Sequence, residues 1–457
     1  MGIGISSIRK YKLKNASVKR NLVEWVADPI RDGRYLRDKV VKFEDFEKIC
    51  YLNSGQSSNV YLCKYKRNGK YYALKAVKKY WVYDERQFDH VQREMSVHLG
   101  LTQGAANLFR VFENHSYIYF VMEYCVLGDL KLLLLRNGRF PRQVLQYIIA
   151  GIVNGINYLH ETRCIIHRHI CASNVMLSAT GHVKLIDFGN ARSVSREQTH
   201  IKTVDKDVLG SFEYAAPELI PPSMKEILYE YKDTETHHSF PVDYWALGVL
   251  LFYMASRKFP YGKQENRHLS AQSVAKRVLE GKRKRLPLHI SFYYRSSGLI
   301  ELINGLLDPN PTTRWSCEEI KSCRFMASTN IDKHQNMNPP YLPKRRLVSG
   351  DSSSFGKLHR RAEPKDSRVL LTEEEFGYTY FTKIIEKEMH KISLVSPRPK
   401  TCDPVLNSLL TEQQNGDISE FGDDIRPEEW FKNATLHLEA KKKNLSKRLR
   451  SKVVPGE

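Results

Sequence analysis

Residues 167–174 read His-Arg-His-Ile-Cys-Ala-Ser-Asn, and thirteen residues after Asn174 comes Asp187-Phe188-Gly189. Between them these stretches hold His169, which can accept a proton, and Asn174 and Asp187, whose oxygens suit a hard divalent cation. They lie in a helix-rich region, residues 125–327, where Val144–His160 and Val242–Ala255 have the character of buried helices. Upstream, residues 43–124 are strand-rich. Tyr51 to Lys79 forms β-prone runs joined at Asn68-Gly69, a strong hairpin signal. Residues 85–100 place Phe88, Val91, Met95, Val97 and Leu99 among polar positions, which predicts one helix.

Composition narrows the class. The chain has 457 residues, long enough for two or three domain-sized units, and is 41% hydrophobic and 27% charged, as expected of a soluble protein with a substantial core. The N-terminus has no signal-peptide pattern, and the longest apolar run, near Tyr244 to Ala255, is too short to span a bilayer. Eight scattered cysteines without a C-x-x-C pair predict reduced thiols in the cytoplasm, not a disulfide frame or zinc site. The net charge of +21 favours acidic partners. No base-reading motif or interleaving of aromatic and basic residues is present, so nucleic acid is not an expected partner.

The quoted stretches resemble the catalytic and metal-binding loops of a protein kinase, His-Arg-Asp-Leu-x-x-x-x-Asn followed by Asp-Phe-Gly. Further motifs follow in the family's order over about 43–327. Asn53 to Val60 resembles the glycine loop, with only the middle glycine, Gly55, kept. Asn53 tolerates the left-handed conformation that glycine otherwise supplies. Ala73-Leu74-Lys75 resembles the third-strand lysine motif, and Glu94 follows 19 residues later on the predicted helix. Val121 to Cys125 resembles the hinge. The resemblance implies a bilobal α+β fold, with a β-rich lobe at 43–124 containing one main helix and a mostly helical lobe at 125–327. It implies ATP and Mg²⁺ as cofactors. Lys75, paired with Glu94, would hold the α- and β-phosphates, and Asn174 and Asp187 would hold Mg²⁺. The hinge backbone at Glu123 and Cys125 would bond adenine, with Met122 gating the back of the pocket. Asp129 would meet the ribose, and Val60, Ala73 and Met176 would sandwich the base.

The match fails at the chemical step. His169 replaces the catalytic Asp, and Cys171 stands where Ser/Thr kinases carry a phosphate-facing Lys. Ser173 stands where tyrosine kinases carry an Arg instead. A positioned general base contributes roughly 10² to 10⁴ in rate. That is about 3–5 kcal/mol. A neutral imidazole cannot supply the negative charge that orients the hydroxyl. The resemblance therefore implies a pseudokinase that binds Mg²⁺-ATP and serves as a scaffold or allosteric regulator in signalling. Two alternatives stay open: an active serine/threonine kinase, and an interaction module without nucleotide.

Several other positions carry family matches. His167 and Arg168 complete the loop motif, with Phe188 and Gly189 after Asp187. Gly210 to Tyr214, with Ser211, resembles the substrate-docking turn before Ala216-Pro217-Glu218. Asp207 stands where AGC kinases carry an activating phosphothreonine, and either mimics it beside Arg168 or is a solvated loop residue. Asp243 and Arg314 resemble structural residues of the large lobe, Arg314 pairing with Glu218.

Beyond this region, residues 1–42 form a basic N-terminal segment. Met1-Gly2-Ile3-Gly4-Ile5-Ser6 fits the N-myristoylation pattern at Gly2, and Arg9, Lys10, Lys12, Lys14, Lys19 and Arg20 follow. One acyl chain plus a polybasic patch gives two membrane signals, so association with the anionic inner face of the plasma membrane is expected. Residues 328–457 read as a basic, partly disordered tail, with possible isolated helices at 372–391 and 427–452. Tyr378, Phe381 and Thr382 only faintly match the AGC hydrophobic motif. The basic run from Lys441 to Arg450 reads as solvated surface, with binding of phosphates or lipid, or a nuclear signal, as alternatives. No protein partner is named by the sequence.

Overall fold

A computed structural model describes residues 41–340, apart from 86, 102, 196, 205–211, 230–235, 263–269 and 288–297. Gly2 and its basic segment, Asp207, Ser211, and the tail from residue 341 lie outside the described residues.

The N-terminal part is a five-stranded antiparallel sheet in the order β1-β2-β3-β5-β4. Its strands are β1 (Phe46–Ser54), β2 (Ser58–Tyr65), β3 (Tyr71–Lys78), β4 (Leu108–Glu113) and β5 (Tyr117–Glu123). β2 and β3 meet at the turn where Asn68-Gly69 predicts a hairpin. Gly69 is left-handed (φ 68°), and Asn68 Oδ1 accepts from the Lys70 amide at 2.9 Å. Both faces of β3 are covered. Tyr72, Leu74 and Ala76 join a cluster with Phe46, Phe109 and Tyr119. The period of two turns Ala73, Lys75 and Val77 to the other face, where Val77 packs with Val82, Met95 and Phe120.

That second face is covered by helix. Lys79–Asp84 forms a short α1 that the sequence reading did not anticipate, and α2 spans Phe88–Leu99. Phe88, Val91, Met95 and Leu99 make its apolar stripe against the sheet. Beside the stripe, His90, Glu94 and His98 fall in one row four residues apart. Period two on the strand and 3.6 on the helix thus turn Lys75 and Glu94 towards each other.

The C-terminal part is mostly helical. Strand β6 (Gly128–Asp129) leads into α3 (Leu130–Asn137). The next helix, α4 (Arg142–Asn157), is buried along most of its length and ends in one π-helical turn at Tyr158–Thr162. Past α5 (Pro222–Tyr229) comes α6 (Pro241–Ser256), apolar all round and almost wholly buried, as a central core helix must be. The remaining helices are α7 (Ala271–Leu279), α8 (Leu299–Leu306) and α9 (Cys317–Ser322). Packing continues past residue 327: Ile331 and His334 are buried, and the His334 ring lies 4.5 Å from that of Tyr147 on α4. That segment has no strand or helix period, so nothing local announces its burial.

Short strands set the loops. β7 (Ile165–Ile166) pairs with β10 (Arg192–Ser193), bracketing the segment between them. β8 (Val175–Leu177) and β9 (Val183–Leu185) form a hairpin. Asn174 immediately precedes the first and Asp187 follows the second, so both emerge at one end, joined by Ile186 N–H donating to Asn174 O at 3.0 Å. Among the described helices none is long and apolar enough to cross a membrane.

Candidate functional site

Lys75 Nζ lies 2.5 Å from Glu94 Oε1, with Glu94 buried and Lys75 partly exposed. Burial opposes the lysine's charge, but Glu94 and Asp187 outweigh it and raise its pKa. Lys75 also sits over the Phe120 ring, its cross-strand partner, at 5.8 Å.

Asp243 on α6 organises the loop at 167–174. Fully buried, its Oδ2 accepts from the His167 amide and meets His160 Nε2, each at 2.8 Å, while Oδ1 accepts from the Arg168 amide at 2.7 Å. Desolvation opposes its charge, yet His160 and these bonds hold its carboxyl below the usual range. Arg168 and Asp187 are both left-handed (φ 63° and 68°). Each such non-glycine residue costs about 1–2 kcal/mol. The strain is held where the two loops meet. Arg168 donates through Nε to Asn190 O at 2.7 Å, and its Nη1 lies 3.3 Å from His238 Nε2. The rings of His98, Phe188 and His167 form a tilted row between α2 and the loop, with centres 5.0 Å apart at each step and planes 51° and 53° apart.

His169 occupies the centre. Its Nδ1 lies 2.9 Å from Asn174 Nδ2 and 3.3 Å from Asp187 Oδ2, and Asn174 Nδ2 lies 3.4 Å from the same carboxylate oxygen. Burial works against the imidazolium. Bonds to Asp187 and Cys171 overcome it and push the His169 pKa up to about 10. Asp187 is driven the other way: against desolvation, His169 and Lys75 hold its carboxyl far below the ordinary range. Cys171 is buried, which raises a thiol, but its bonds to His169 and Ser173 and the charge of His169 together lower its pKa. Its Sγ lies 3.2 Å from Ser173 Oγ.

The other expected positions have definite surroundings. Gly55 is exposed and its amide donates to Ser58 O at 2.9 Å. Neither it nor Asn53 is left-handed, because β1 continues through Ser54 and the turn closes without that conformation. Val60 and Met122 pack against the large core cluster that holds Ala73. Glu123 is engaged by its amide with Asn107 O at 2.8 Å and by its carboxylate with Lys184 at 3.2 Å. Cys125 O accepts from Gly128 N at 2.9 Å, and its own N–H has no partner among the described residues. Asp129, expected at a ribose, caps α3: its Oδ1 accepts from Leu132 N at 2.7 Å. Met176 pairs with Asp129 across β6 and β8. Arg314 and Glu218 meet in a two-point pair at 2.5 and 3.1 Å, and Arg314 is also held by the carbonyls of Asp308, Pro241 and Pro309.

One residue of this neighbourhood escaped the sequence reading. His90 lies one helical turn before Glu94 and reaches Gly189, so that any Cβ on Gly189 would overlap its imidazole. His90, Glu94 and Asp187 bring potential ligand atoms within 4.8 Å of one another. Spacing within α2 was the available signal; the approach to residues 187–189 was not local.

The donors fit the implied cofactors. A carboxylate at Asp187 and an amide at Asn174 are oxygen ligands suited to Mg²⁺, and Lys75 and the free Cys125 N–H suit phosphate and a base edge. His169, however, already engages the Asp187 carboxylate and the Asn174 amide nitrogen.

Comparison with known proteins gives a concordant result. A family model described as protein kinase domain matches residues 46–326. Protein kinase C zeta type from Oryctolagus cuniculus is 30% identical over 362 residues, covering 75% of this chain and 57% of that protein. Atypical protein kinase C from Drosophila melanogaster is 28% identical over 381 residues, covering 78% and 58% respectively. Protein kinase 3 from Dictyostelium discoideum is 27% identical over 346 residues, covering 73% and 35%. The chain thus spans between 35% and 58% of the length of these relatives.

Proposed function

We propose, from the premise that this chain belongs to the protein kinase family, that it is an AGC-like pseudokinase whose output is binding, not phosphotransfer. The observation that carries the reading is His169. It stands where the family's base would stand, and its pKa of about 10 keeps it protonated at neutral pH. An imidazolium cannot take a proton from a hydroxyl, and a buried Cys171 supplies no cation for a phosphate.

The family generally uses ATP and Mg²⁺. In this chain Lys75, held by Glu94, would bind the phosphates, the backbone at Glu123 and Cys125 the base, and Asn174 and Asp187 the ion. Bound Mg²⁺ would neutralise phosphate charge. The intact Lys75–Glu94 pair and the His98–Phe188–His167 row support retained nucleotide binding. The same two features favour the second reading, an active serine/threonine kinase, in which the proton leaves by another route.

A radiolabelled-ATP transfer assay with generic serine/threonine substrates separates them. We expect negligible transfer by the wild-type chain and a gain in the double variant His169→Asp, Cys171→Lys. Robust wild-type transfer abolished by Asp187→Ala would sink the pseudokinase reading. Binding is tested separately by melting. Nucleotide at about 100 times its Kd stabilises the folded state by roughly 2.7 kcal/mol. Lys75→Ala should shrink that shift. No shift and no calorimetric heat at millimolar Mg²⁺-ATP would favour an interaction module without nucleotide.

A further inference from the structure

We propose that His90, Glu94 and Asp187 form a site for a divalent ion of the zinc class, sharing only Asp187 with the ligands of a nucleotide-borne Mg²⁺. The three residues offer one imidazole nitrogen and two carboxylate oxygens, all within 4.8 Å of one another. Zinc-class ions bind such donors at roughly 2.0–2.2 Å in a tetrahedron, which sets ligand atoms about 3.3–3.6 Å apart. Side-chain closure of up to about 1.5 Å would therefore complete the site.

Three further observations point the same way. His90 Nδ1 is buried and has no hydrogen-bond partner among the described residues. A buried polar atom left unsatisfied costs about 1–3 kcal/mol. An ion ligated at Nδ1 would remove that cost. The ring is seated, not loose: it rests in the space left by the missing side chain of Gly189 and meets Trp81 edge-on at 6.5 Å. Burial also lowers the pKa of this imidazole, with Lys75 and Arg93 adding to it against Glu94 and Asp187.

Ligand type decides the ion. Mg²⁺ takes six oxygens in a strict octahedron and parts with water reluctantly. One imidazole with two carboxylates suits Zn²⁺ or Co²⁺, with a position left for water. Lys75 touches Glu94, Arg93 Nη1 donates to Gly189 O at 2.9 Å, and His169 touches Asp187. These cations oppose a further positive charge and weaken the affinity. Binding would draw Glu94 from Lys75 and Asp187 from His169, so the ion would oppose the nucleotide-competent arrangement.

The experiment titrates ZnCl₂ into the nucleotide-free full chain by calorimetry, with MgCl₂ in excess, and repeats it with CoCl₂ while recording the visible spectrum. One site is expected, filled despite Mg²⁺, with a Co²⁺ spectrum showing nitrogen ligation. His90→Ala should weaken that site by more than about tenfold. His90→Gln, closer in size, should do the same, and metal-free melting curves verify that both variants fold. If Zn²⁺ does not bind, or if both His90 variants bind it as the wild type does, the site is wrong. The inference is independent of the nucleotide reading: binding of Mg²⁺-ATP without Zn²⁺ refutes only the metal site, and the converse refutes only the nucleotide site.

Discussion

Replacing His169 by Asp exchanges an attraction for a repulsion at one point of the structure. In the wild-type chain the imidazolium lies 3.3 Å from Asp187 Oδ2. At an effective dielectric of about 20 such a pair interacts by roughly 5 kcal/mol. Asp187 is 31% exposed, so solvent screening reduces this to about half. The variant loses that attraction and sets a second carboxylate about 4 Å away, which adds a similar repulsion after the same discount. The sum is about 4 kcal/mol of destabilisation, or roughly 10 °C in Tm for a domain of this size. Mg²⁺ should reverse most of it, because two carboxylates and the Asn174 oxygen make a harder and more negative site. The assay is thermal melting of both proteins in EDTA and in millimolar Mg²⁺ without nucleotide. We expect a large Mg²⁺-dependent rise for His169→Asp and a small one for the wild type. If the variant is as stable as the wild type in EDTA, or if Mg²⁺ shifts both equally, His169 is not acting as an internal counter-ion.

The same pair gives stability a pH signature. The folded pKa of His169 is raised to about 10, so its contribution is complete below about pH 6.5 and declines as pH rises through 10; urea melts at pH 7 and 10.5 should show a loss that His169→Asn lacks. Asp187 is depressed, so its contribution holds above about pH 4 and falls away in acid, again more in the wild type than in His169→Asn. Arg314→Ala leaves Glu218 without its cation and frees three carbonyls, and should cost about 3–5 kcal/mol in denaturant unfolding; a loss under 1 kcal/mol contradicts a buried, fully bonded pair. Gly2→Ala should move the protein from membrane to soluble fractions on cell fractionation, and an unchanged distribution rejects the lipid anchor.

Much of this protein was legible from local rules. Period two in 71–78 and period 3.6 in 88–99 say which neighbours share a face with Lys75 and with Glu94 on their own elements, and the family resemblance implied that the two pair. Asn68-Gly69 marked its turn for a similar reason: the left-handed backbone at Gly69 is a local property of the turn. The replacement of the catalytic Asp was visible as a letter.

Its consequence was not. That His169 sits between Asn174 and Asp187 depends on two hairpin strands ending together and on a buried Asp243, 74 residues further on, fixing the loop. The same holds for Asp129, whose carboxylate is taken by a helix amide, and for His334, buried in a segment with no periodic signal. His90 shows the limit most plainly. Its place on a helix face was readable from spacing to Glu94, but its meeting with Gly189 joins residues 99 apart in sequence and exists only because α2 packs over the loop after β9. Propensity and period act over a few residues and set which way a side chain points. What it meets there is decided by packing between distant segments, and so only by the tertiary structure.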